Sequence, residues 1–567
     1  MTAAEIRKRI LDVTLANGGH LASSLGAVEI AMALAEVFDS VRDRIVWDVG
    51  HQAYAWKILT GRNGDFGTLR RLDGLSGFPN PRESAADAAV AGHAGVAISV
   101  AEGLAAALEA GDRGGQAVAV VGDAAIANGT SFEALNNCVG ACGKVIVVLN
   151  DNEMSISRPT GALARMFGRL ITGVRYNRVK AAAEATGHRL HLTFLRGAYH
   201  RIESRVKSLF VGNAYFEKFG LRYIGPVDGH DLSALRNAFT VAKEDKRSVV
   251  VHVVTRKGKG HPPAERDPTG WHGISPKKSA ETSWSDAFGT ALCELARRDG
   301  RIVALTAGMK DGTGLGGFAA AFPERFRDVG ISEGHMVAYA AGLAAGGRRP
   351  FVAVYSTFLQ RAVDQVMHDV CISSLPVVFC VDRAGLVGAD GVTHQGLYDF
   401  AMLKCLPNLT ICQPRDAADL RSLLEEALAR PGPTVIRYPR GAVPESVPDR
   451  VGPASGGLAI WATGDWYPKA CAVAARVGAE VVHARCLKPF DADLLARQRK
   501  AGLKIVSLEN GCVAGGFGES IGADLRLGWP DAFIPHGSVA ELERRYGLDE
   551  ASVVARIEAF KRTGGAA

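Results

Sequence analysis

The 567-residue sequence lacks the features that mark membrane, secreted and nucleic-acid-binding proteins. No apolar run reaches the roughly 18 residues that a transmembrane helix needs, and the N-terminus has neither the apolar stretch nor the cleavage site of a signal peptide. Long blocks of like charge are also missing, and 66 basic residues nearly balance 59 acidic ones. Such a charge distribution does not favour nucleic-acid or membrane partners. We therefore expect a cytoplasmic globular protein.

The ten cysteines show no pattern of a metal site or of a disulfide framework. They are scattered along the chain, and the one close pair, Cys138 and Cys142, has no second pair with which to complete a metal site. Buried, reduced thiols are therefore the expected state.

Short, continuously apolar segments rich in β-branched residues recur along the chain. Examples are AVAVVGD (117–123), KVIVVLND (144–151) and PVVFCVD (376–382). Continuous rather than alternating apolar residues are typical of strands that are buried on both faces of a parallel sheet. Ala- and Leu-rich helical segments, such as 95–110 and 419–430, lie between them. This alternation predicts an α/β fold with doubly wound domains.

Two polar, Pro-rich segments, 256–283 and 438–457, interrupt the alternation and predict linkers. Each of the three pieces that they separate carries its own strands and helices. We expect domains over residues 1–278, 279–446 and 457–567.

Polar residues follow two of the predicted strands. Gly122-Asp123-Ala124 ends the first, and Asn152 comes directly after the second. Carboxyl ends of parallel strands line the ligand crevice of such sheets, and a carboxylate with a carboxamide suits Mg²⁺ bound to a diphosphate. The alternative is that Asp123 and Asn152 only cap the helices that follow.

In the next domain, Glu333 precedes a helical segment, where a carboxylate is favourable on electrostatic grounds alone.

The GDx and NDN segments together are similar to the thiamin diphosphate signature. More closely, the sequence resembles the 1-deoxy-D-xylulose-5-phosphate synthase family. The segments that carry this resemblance span nearly the whole chain: 18–29, 47–62, 149–157, 223–231, 355–370, 382–396, 437–441 and 514–520. The resemblance implies a thiamin diphosphate-binding fold with a pyrophosphate domain, a pyrimidine domain and a C-terminal transketolase-like domain, and a cofactor bound between the first two.

The resemblance also implies a set of cofactor-binding residues. Mg²⁺, and through it the diphosphate, would be held by Asp123, Asn152 and the backbone of Met154. Glu333 would bind the aminopyrimidine ring of thiamin diphosphate. The further cofactor contacts that the resemblance implies are His93, Gly122, Ala124, Ala125, Lys257 and Phe358.

Pyruvate and D-glyceraldehyde 3-phosphate are the substrates that the resemblance implies, and a homodimer is the implied assembly. His51, His272 and His394 would act with Glu333 in catalysis, because imidazoles titrate near the working pH and can pass protons. Arg383 and Arg440 would bind the acceptor phosphate, which a guanidinium matches with two hydrogen bonds. The same pocket would be lined by Tyr355, Arg361 and Asp390.

Three positions depart from the family pattern: Ala124, the segment 94–97 and Gly334. They leave open a related carboligase with another 2-oxo acid or aldehyde phosphate, or a catalytically impaired relative. Transketolase and a pyruvate dehydrogenase component are further alternatives. A nicotinamide dehydrogenase is not favoured, since the Gly-rich segment 514–520 lacks the G-x-G-x-x-G spacing with an acidic partner.

Overall fold

The structure is a computed structural model that describes residues 1–111, 114–140, 143–152, 211–275, 281–444, 450–451 and 457–563. The contacts between residues divide the chain into two compact units. The first contains Met1–Leu69 and Gly74–Pro276, and the second contains Arg70–Asp73 and Lys277–Ala567. The short segment Arg70–Asp73 therefore belongs to the second unit, although both of its flanks belong to the first.

A five-stranded parallel sheet forms the centre of the first unit. The strands of this unit are β1 (Gly19–His20), β2 (Arg44–Trp47), β3 (Ala117–Gly122), β4 (Val145–Asp151), β5 (Arg222–Asp228), β6 (Val249–Val254) and β7 (Gly273–Ile274). The order in the sheet is β2-β3-β4-β6-β5, and β1 pairs with β7 in a separate antiparallel ribbon. Every residue of β4 is buried, as its continuously apolar sequence predicts.

Helices complete the core of the first unit. They are α1 (Ala3–Asn17), α2 (Leu21–Gly26), α3 (Val28–Val37), α4 (Tyr54–Lys57), α5 (Ala97–Ala110), α6 (Gly129–Asn137), α7 (Val211–Lys218), α8 (Leu232–Glu244) and α9 (Pro262–Arg266). Side-chain caps define where several of them begin, including Thr2 before α1, Asn128 before α6 and Asp231 before α8. Apolar residues of α1, α3 and α8 pack with those of the strands in one hydrophobic core.

The second unit contains two sheets. Its strands are β8 (Ile302–Thr306), β9 (Phe326–Asp328), β10 (Arg349–Tyr355), β11 (Val378–Asp382), β12 (Thr410–Cys412), β13 (Thr434–Arg437), β14 (Arg450–Val451), β15 (Leu458–Ala462), β16 (Glu480–His483), β17 (Cys486–Lys488), β18 (Lys504–Cys512) and β19 (Leu525–Trp529). The seven-stranded sheet has the order β17-β12-β13-β11-β10-β8-β9, and the five-stranded sheet has the order β14-β16-β15-β18-β19. Strands β17 and β14 are the antiparallel edges of these otherwise parallel sheets.

Helices again alternate with the strands of the second unit. They are α10 (Trp284–Arg298), α11 (Gly316–Ala321), α12 (Glu333–Ala345), α13 (Ser356–Leu359), α14 (Val363–Gln365), α15 (Asp399–Leu403), α16 (Ala417–Ala429), α17 (Tyr467–Val477), α18 (Ala492–Lys500), α19 (Phe517–Ser520), α20 (Val539–Arg545) and α21 (Glu550–Arg562). Among the described residues, no helix of either unit is long and apolar enough to span a membrane.

The α/β class and its parallel, doubly wound sheets are confirmed, whereas one predicted linker is wrong in its first part. Residues 256–275 belong to the first unit: Lys257 is buried, α9 starts at two prolines and β7 pairs with β1. Prolines are compatible with the first turn of a helix, so their presence did not indicate a break. The boundaries proposed for three separate domains stay a prediction.

Candidate active site

Strands β3 and β4 bring Asp123 and Asn152 to the same edge of the first sheet. The two strands are neighbours, with Gly122 opposite Asn150, and the backbone N–H of Asp123 donates to the Asn150 carbonyl at 3.3 Å. The turn after β3 contains Ala124 and Ala125, and the N–H of Ala124 donates to Asp123 Oδ1 at 3.0 Å. Beside Gly122 there is open space, since an added Cβ would meet no atom within 4 Å. Open space therefore lies beside this edge of the sheet at Gly122.

Asp123 and Lys257 are both buried near one another in the first unit. Burial and the nearby Asp151 carboxylate raise the pKa of Asp123, while Lys257 acts to lower it. Burial also lowers the pKa of Lys257, against the opposing effect of Asp123. Each group is thus held where its charged form costs free energy unless further opposite charge is present. A divalent cation next to Asp123 and an anion next to Lys257 would supply that charge.

A network of buried polar side chains fixes the end of β4. Asn150 donates to Gln52 Oε1 at 2.7 Å and accepts from the Thr255 hydroxyl at 2.6 Å. His252 Nε2 lies 2.9 Å from Asp151 Oδ2, and its Nδ1 lies 2.7 Å from the Tyr223 hydroxyl. Asn152, the next residue, is therefore carried on a rigid strand end. The Nε2 of Gln52 is buried and has no hydrogen-bond partner among the residues that the structure describes.

Three histidines form a cluster in the first unit. The ring centroids of His51 and His272 are 5.4 Å apart, and the His20 ring lies 6.0 and 5.6 Å from them, respectively. His272 Nδ1 is 3.3 Å from the Ser23 hydroxyl. Burial, assisted by neighbouring positive charge, holds the pKa of His51 and of His272 well below the usual range. Both imidazoles are therefore neutral near pH 7, and the expectation that they titrate near the working pH is wrong for His51 and His272 because both are buried. The His51 Nδ1 atom is buried without a partner in the described part of the chain.

His93 lies in the loop that precedes α5, and Asp48 holds this loop. The Asp48 carboxylate follows β2 and accepts the backbone N–H groups of Gly95, Val96 and Ala97 at 2.8–3.1 Å. An acceptor at this position satisfies N–H groups that the first turn of α5 leaves free. The predicted cofactor residue His93 is thus placed by a carboxylate that sequence reasoning did not identify.

Glu333 is the first residue of α12 in the second unit, and it is buried. Burial raises the pKa of its carboxyl group, while Arg361, whose Nε lies 3.8 Å from Oε2, acts to lower it. Gly334 follows, and a Cβ there would lie 3.1 Å from the Gln365 side-chain oxygen. The small residue at this departure from the family pattern therefore accommodates Gln365.

Aromatic and basic side chains surround the end of β10. The rings of Tyr355 and Phe358 are stacked with centroids 5.7 Å apart, and the His394 ring meets Phe358 edge-on at 5.6 Å. The Arg383 guanidinium lies 4.1 Å from the Tyr355 ring centroid. Arg383 follows β11 directly and donates to the Gly312 carbonyl at 2.6 Å. The four predicted side chains therefore form one contiguous cluster.

The Asp390 carboxylate contacts two arginine side chains. Its Oδ2 lies 3.5 Å from the Arg440 guanidinium, and its Oδ1 accepts a short hydrogen bond from Arg70. Arg70 lies in the segment Arg70–Asp73, which is part of the second unit. Sequence reasoning missed Arg70, since it belongs to no motif and lies 320 residues from Asp390.

The predicted site residues thus fall into two groups, one in each unit. The first unit contains His51, His93, Gly122, Asp123, Ala124, Ala125, Asn152, Lys257 and His272. The second contains Glu333, Tyr355, Phe358, Arg361, Arg383, Asp390, His394 and Arg440. Met154 lies outside the described residues. Their assigned roles stay predictions, and the structure adds His20, Asp48 and Arg70 to these groups.

Comparison with known proteins matches three family models to the chain. The model of 1-deoxy-D-xylulose-5-phosphate synthase matches residues 1–255. The transketolase pyrimidine-binding domain matches residues 280–446, and the transketolase C-terminal domain matches residues 457–553.

Curated relatives match over nearly the full length. A 1-deoxy-D-xylulose-5-phosphate synthase of Desulforudis audaxviator is 44% identical, covering 99% of this chain and 94% of the relative. The protein of the same name from Thermomicrobium roseum is 46% identical, covering 99% of this chain and 95% of the relative.

Because the Glu333 carboxyl group is buried, we predict that removing its charge stabilises the folded protein. We expect Glu333→Gln to stabilise the cofactor-free protein at pH 7.5 by roughly 0.5–2 kcal/mol, the range of single stabilising substitutions. Burial raises the pKa of Glu333, so its charged form destabilises the folded protein. This destabilisation is absent below the ordinary pKa of 4.5 and grows as the pH rises through the folded-state pKa. Thermal melts at pH 4 and pH 7.5 measure this difference. Exposed Glu324→Gln is the matched control, and a variant less stable than wild type at pH 7.5 would contradict the prediction.

Proposed function

The chain belongs to the 1-deoxy-D-xylulose-5-phosphate synthase family, thiamin diphosphate-dependent transferases of the transketolase type, and we propose which of its residues carry out the family's reaction. In that reaction pyruvate loses CO₂, and the remaining two-carbon unit is joined to D-glyceraldehyde 3-phosphate to give 1-deoxy-D-xylulose 5-phosphate. The relatives give no support to the alternative of another donor or acceptor.

The observation that carries the proposal is the buried pair of Asp123 and Lys257 at the carboxyl edge of the first sheet. A carboxylate oxygen of Asp123 and the side-chain oxygen of Asn152 are the hard ligands that Mg²⁺ prefers, and Lys257 offers an ammonium group to a diphosphate. The open space beside Gly122 and the unsatisfied donor of Gln52 support a bound group at this edge. The residues therefore fit a magnesium diphosphate.

Bound thiamin diphosphate supplies a nucleophilic carbon and an electron sink for decarboxylation and carbon–carbon bond formation. Glu333 would hold a proton on its carboxyl group and share it with the aminopyrimidine ring. The raised pKa of Glu333 supports this role, because it keeps the proton available closer to neutral pH. Phe358, stacked on Tyr355, would give the ring an apolar surface.

The histidines would move protons to and from substrate oxygens. His51 and His272 are neutral near pH 7, so each can accept a proton at one ring nitrogen and donate from the other. The unpartnered Nδ1 of His51 supports a contact with a bound molecule. His394, next to Phe358, would act on the acceptor.

The acceptor phosphate would be bound by Arg383 and Arg440, whose guanidinium groups match phosphate oxygens. Asp390 orients Arg440 and ties it to Arg70. Because Asp390 also carries negative charge, it restrains Arg440 in one position rather than adding to the attraction for the phosphate. Tyr355 and Arg361 would line the same region.

We also propose that the enzyme acts in the cytoplasm as a homodimer with one cofactor and one Mg²⁺ per site. The resemblance to the 1-deoxy-D-xylulose-5-phosphate synthase family supports both the assembly and the compartment.

Asp123→Asn tests the magnesium site. We expect the variant to bind thiamin diphosphate at least roughly 10–100-fold more weakly in the presence of Mg²⁺, since even partners outside a metal's ligand set cost this much. Calorimetric titration with and without Mg²⁺ measures the change. Asp65→Asn, at an exposed position of the same unit, is the control. Unchanged affinity and unchanged magnesium dependence in Asp123→Asn would exclude the proposed ligand.

Arg440→Ala tests the phosphate site. We expect KM for D-glyceraldehyde 3-phosphate to rise about 10-fold or more, since a lost charge-assisted hydrogen bond costs about 1.5–3 kcal/mol, while the affinity for pyruvate stays the same. The preference over unphosphorylated D-glyceraldehyde should fall by the same factor. Steady-state kinetics with both acceptors measures it, and Arg421→Ala, an exposed arginine paired with Glu294, is the control. A preserved preference for the phosphorylated acceptor would refute the assignment.

A further inference from the structure

Two cysteines face each other across the junction of β12 and β17. Cys412 is the partner of Cys486 in the pairing of these antiparallel strands, and their Sγ atoms are 3.1 Å apart. No other pair among the nine cysteines that the structure describes forms a thiol–thiol hydrogen bond, and all nine are free thiols. The two residues are 74 positions apart in the sequence, so the fold alone brings them together.

The pairing of the two strands places the two cysteines within the reach of a disulfide. The next pair along the ladder is hydrogen-bonded, since the Gln413 N–H donates to the Arg485 carbonyl at 2.9 Å. Residues directly opposite each other in an antiparallel pair have Cα atoms about 4.5–5.5 Å apart, whichever type of pair they form, and Cys412 and Cys486 are opposite each other beside a register irregularity between Ile411 and Cys412. This separation lies within the roughly 4.4–6.8 Å that disulfides span.

One of the two thiols is accessible and the other is not. Cys412 is buried, whereas Cys486 is half-buried and lines a cavity of about 690 Å³ together with Arg485, His483 and Asp419. A small reagent can therefore reach Cys486 first. Cys412 can react only with a group already present on Cys486.

The surroundings of Cys486 favour its thiolate. The Cys412 thiol lies 3.1 Å from the Cys486 sulfur and can donate a hydrogen bond to it, and Arg430 and Arg485 lie near enough to stabilise negative charge on that sulfur. These effects outweigh burial and the nearby Glu426 carboxylate, so the pKa of Cys486 is below the ordinary range for a thiol. Reactive cysteines are found in electropositive, partly exposed surroundings of this kind.

We propose that Cys412 and Cys486 form a redox-active thiol pair that hydrogen peroxide converts to a disulfide. The Cys486 thiolate attacks one peroxide oxygen, the O–O bond breaks and the departing hydroxide takes a proton to become water. This leaves a sulfenic acid on Cys486. The Cys412 sulfur then attacks the Cys486 sulfur, the S–S bond forms, and the S–O bond breaks with release of a second water. In sum, two thiols lose two hydrogens and one peroxide becomes two waters.

The disulfide would link β12 of the seven-stranded sheet to the edge strand β17 of the same sheet, which comes from the C-terminal part of the chain. β12 leads directly into Gln413, which donates to Asp465 at 3.0 Å and accepts from Arg437 at 2.7 Å. Oxidation therefore adds a covalent tie where these buried polar groups already join the two sheets of the second unit. Closing a loop of this length stabilises the folded chain against unfolding.

Peptide mapping of the full-length protein tests the proposal. The reduced protein is treated with hydrogen peroxide, alkylated and digested without reduction. We expect one linked peptide pair containing Cys412 and Cys486, lighter than the reduced pair by two hydrogen atoms and absent after treatment with dithiothreitol. The oxidised protein should also melt at a higher temperature. Absence of this linked pair at peroxide doses that oxidise the exposed Cys405 would overturn the proposal.

Single variants test the order of the two steps with a sulfenic-acid-specific label. Cys412→Ser should retain the label on Cys486, and Cys486→Ser should show none on Cys412, because the latter is buried. Cys405→Ser removes an exposed thiol of the same unit and should leave the linked pair unchanged. Labelling of Cys412 in Cys486→Ser would contradict the assignment of Cys486 as the attacking thiol. The peptide map of the wild-type protein tests the disulfide independently of these variants.

Discussion

The burial of ionisable side chains at the ends of strands and helices is the constraint on which the rest of this structure depends. Asp123, Lys257 and Glu333 are all buried. Burial raises the pKa of the two carboxyl groups and lowers the pKa of the lysine, so it favours the neutral form of each. Such groups destabilise a fold unless their charge is compensated. A parallel α/β sheet provides positions of this kind, because its central strands are fully buried up to their carboxyl ends. The proposed binding of a magnesium diphosphate and its ring would offset this cost.

A second set of buried polar contacts in the second unit holds the loop that carries the proposed phosphate site. Asn510, on β18, accepts the backbone N–H of Leu386 at 3.0 Å and donates to Asp465 at 2.7 Å. A Cβ on Gly385 would lie 2.3 Å from Asn510, so a glycine with positive φ is needed there. The C-terminal sheet therefore contributes to the proposed site by restraining the loop that leads from Arg383 to His394.

Local sequence predicted the sheets and the residues at their edges, but not the contacts that depend on distant parts of the chain. Continuous apolar segments identified β3 and β4, and therefore the positions of Asp123 and Asn152. Arg70 could not be found in this way, because only tertiary structure carries it to Asp390. The pairing of Cys412 with Cys486 was equally hidden, since a three-residue strand at a sheet edge gives little periodic signal. Residues 256–275 were misread because polar composition indicates exposure on average, whereas Lys257 is buried.

A crystal structure of the enzyme with thiamin diphosphate and Mg²⁺ is the most direct test of the claim that the buried charges exist to bind this pair. The account predicts Mg²⁺ within about 2.1 Å of a carboxylate oxygen of Asp123 and of the side-chain oxygen of Asn152, with the Lys257 ammonium at about 2.7–2.9 Å from a diphosphate oxygen. A metal held by other side chains, with Asp123 and Lys257 paired only to protein groups, would contradict it.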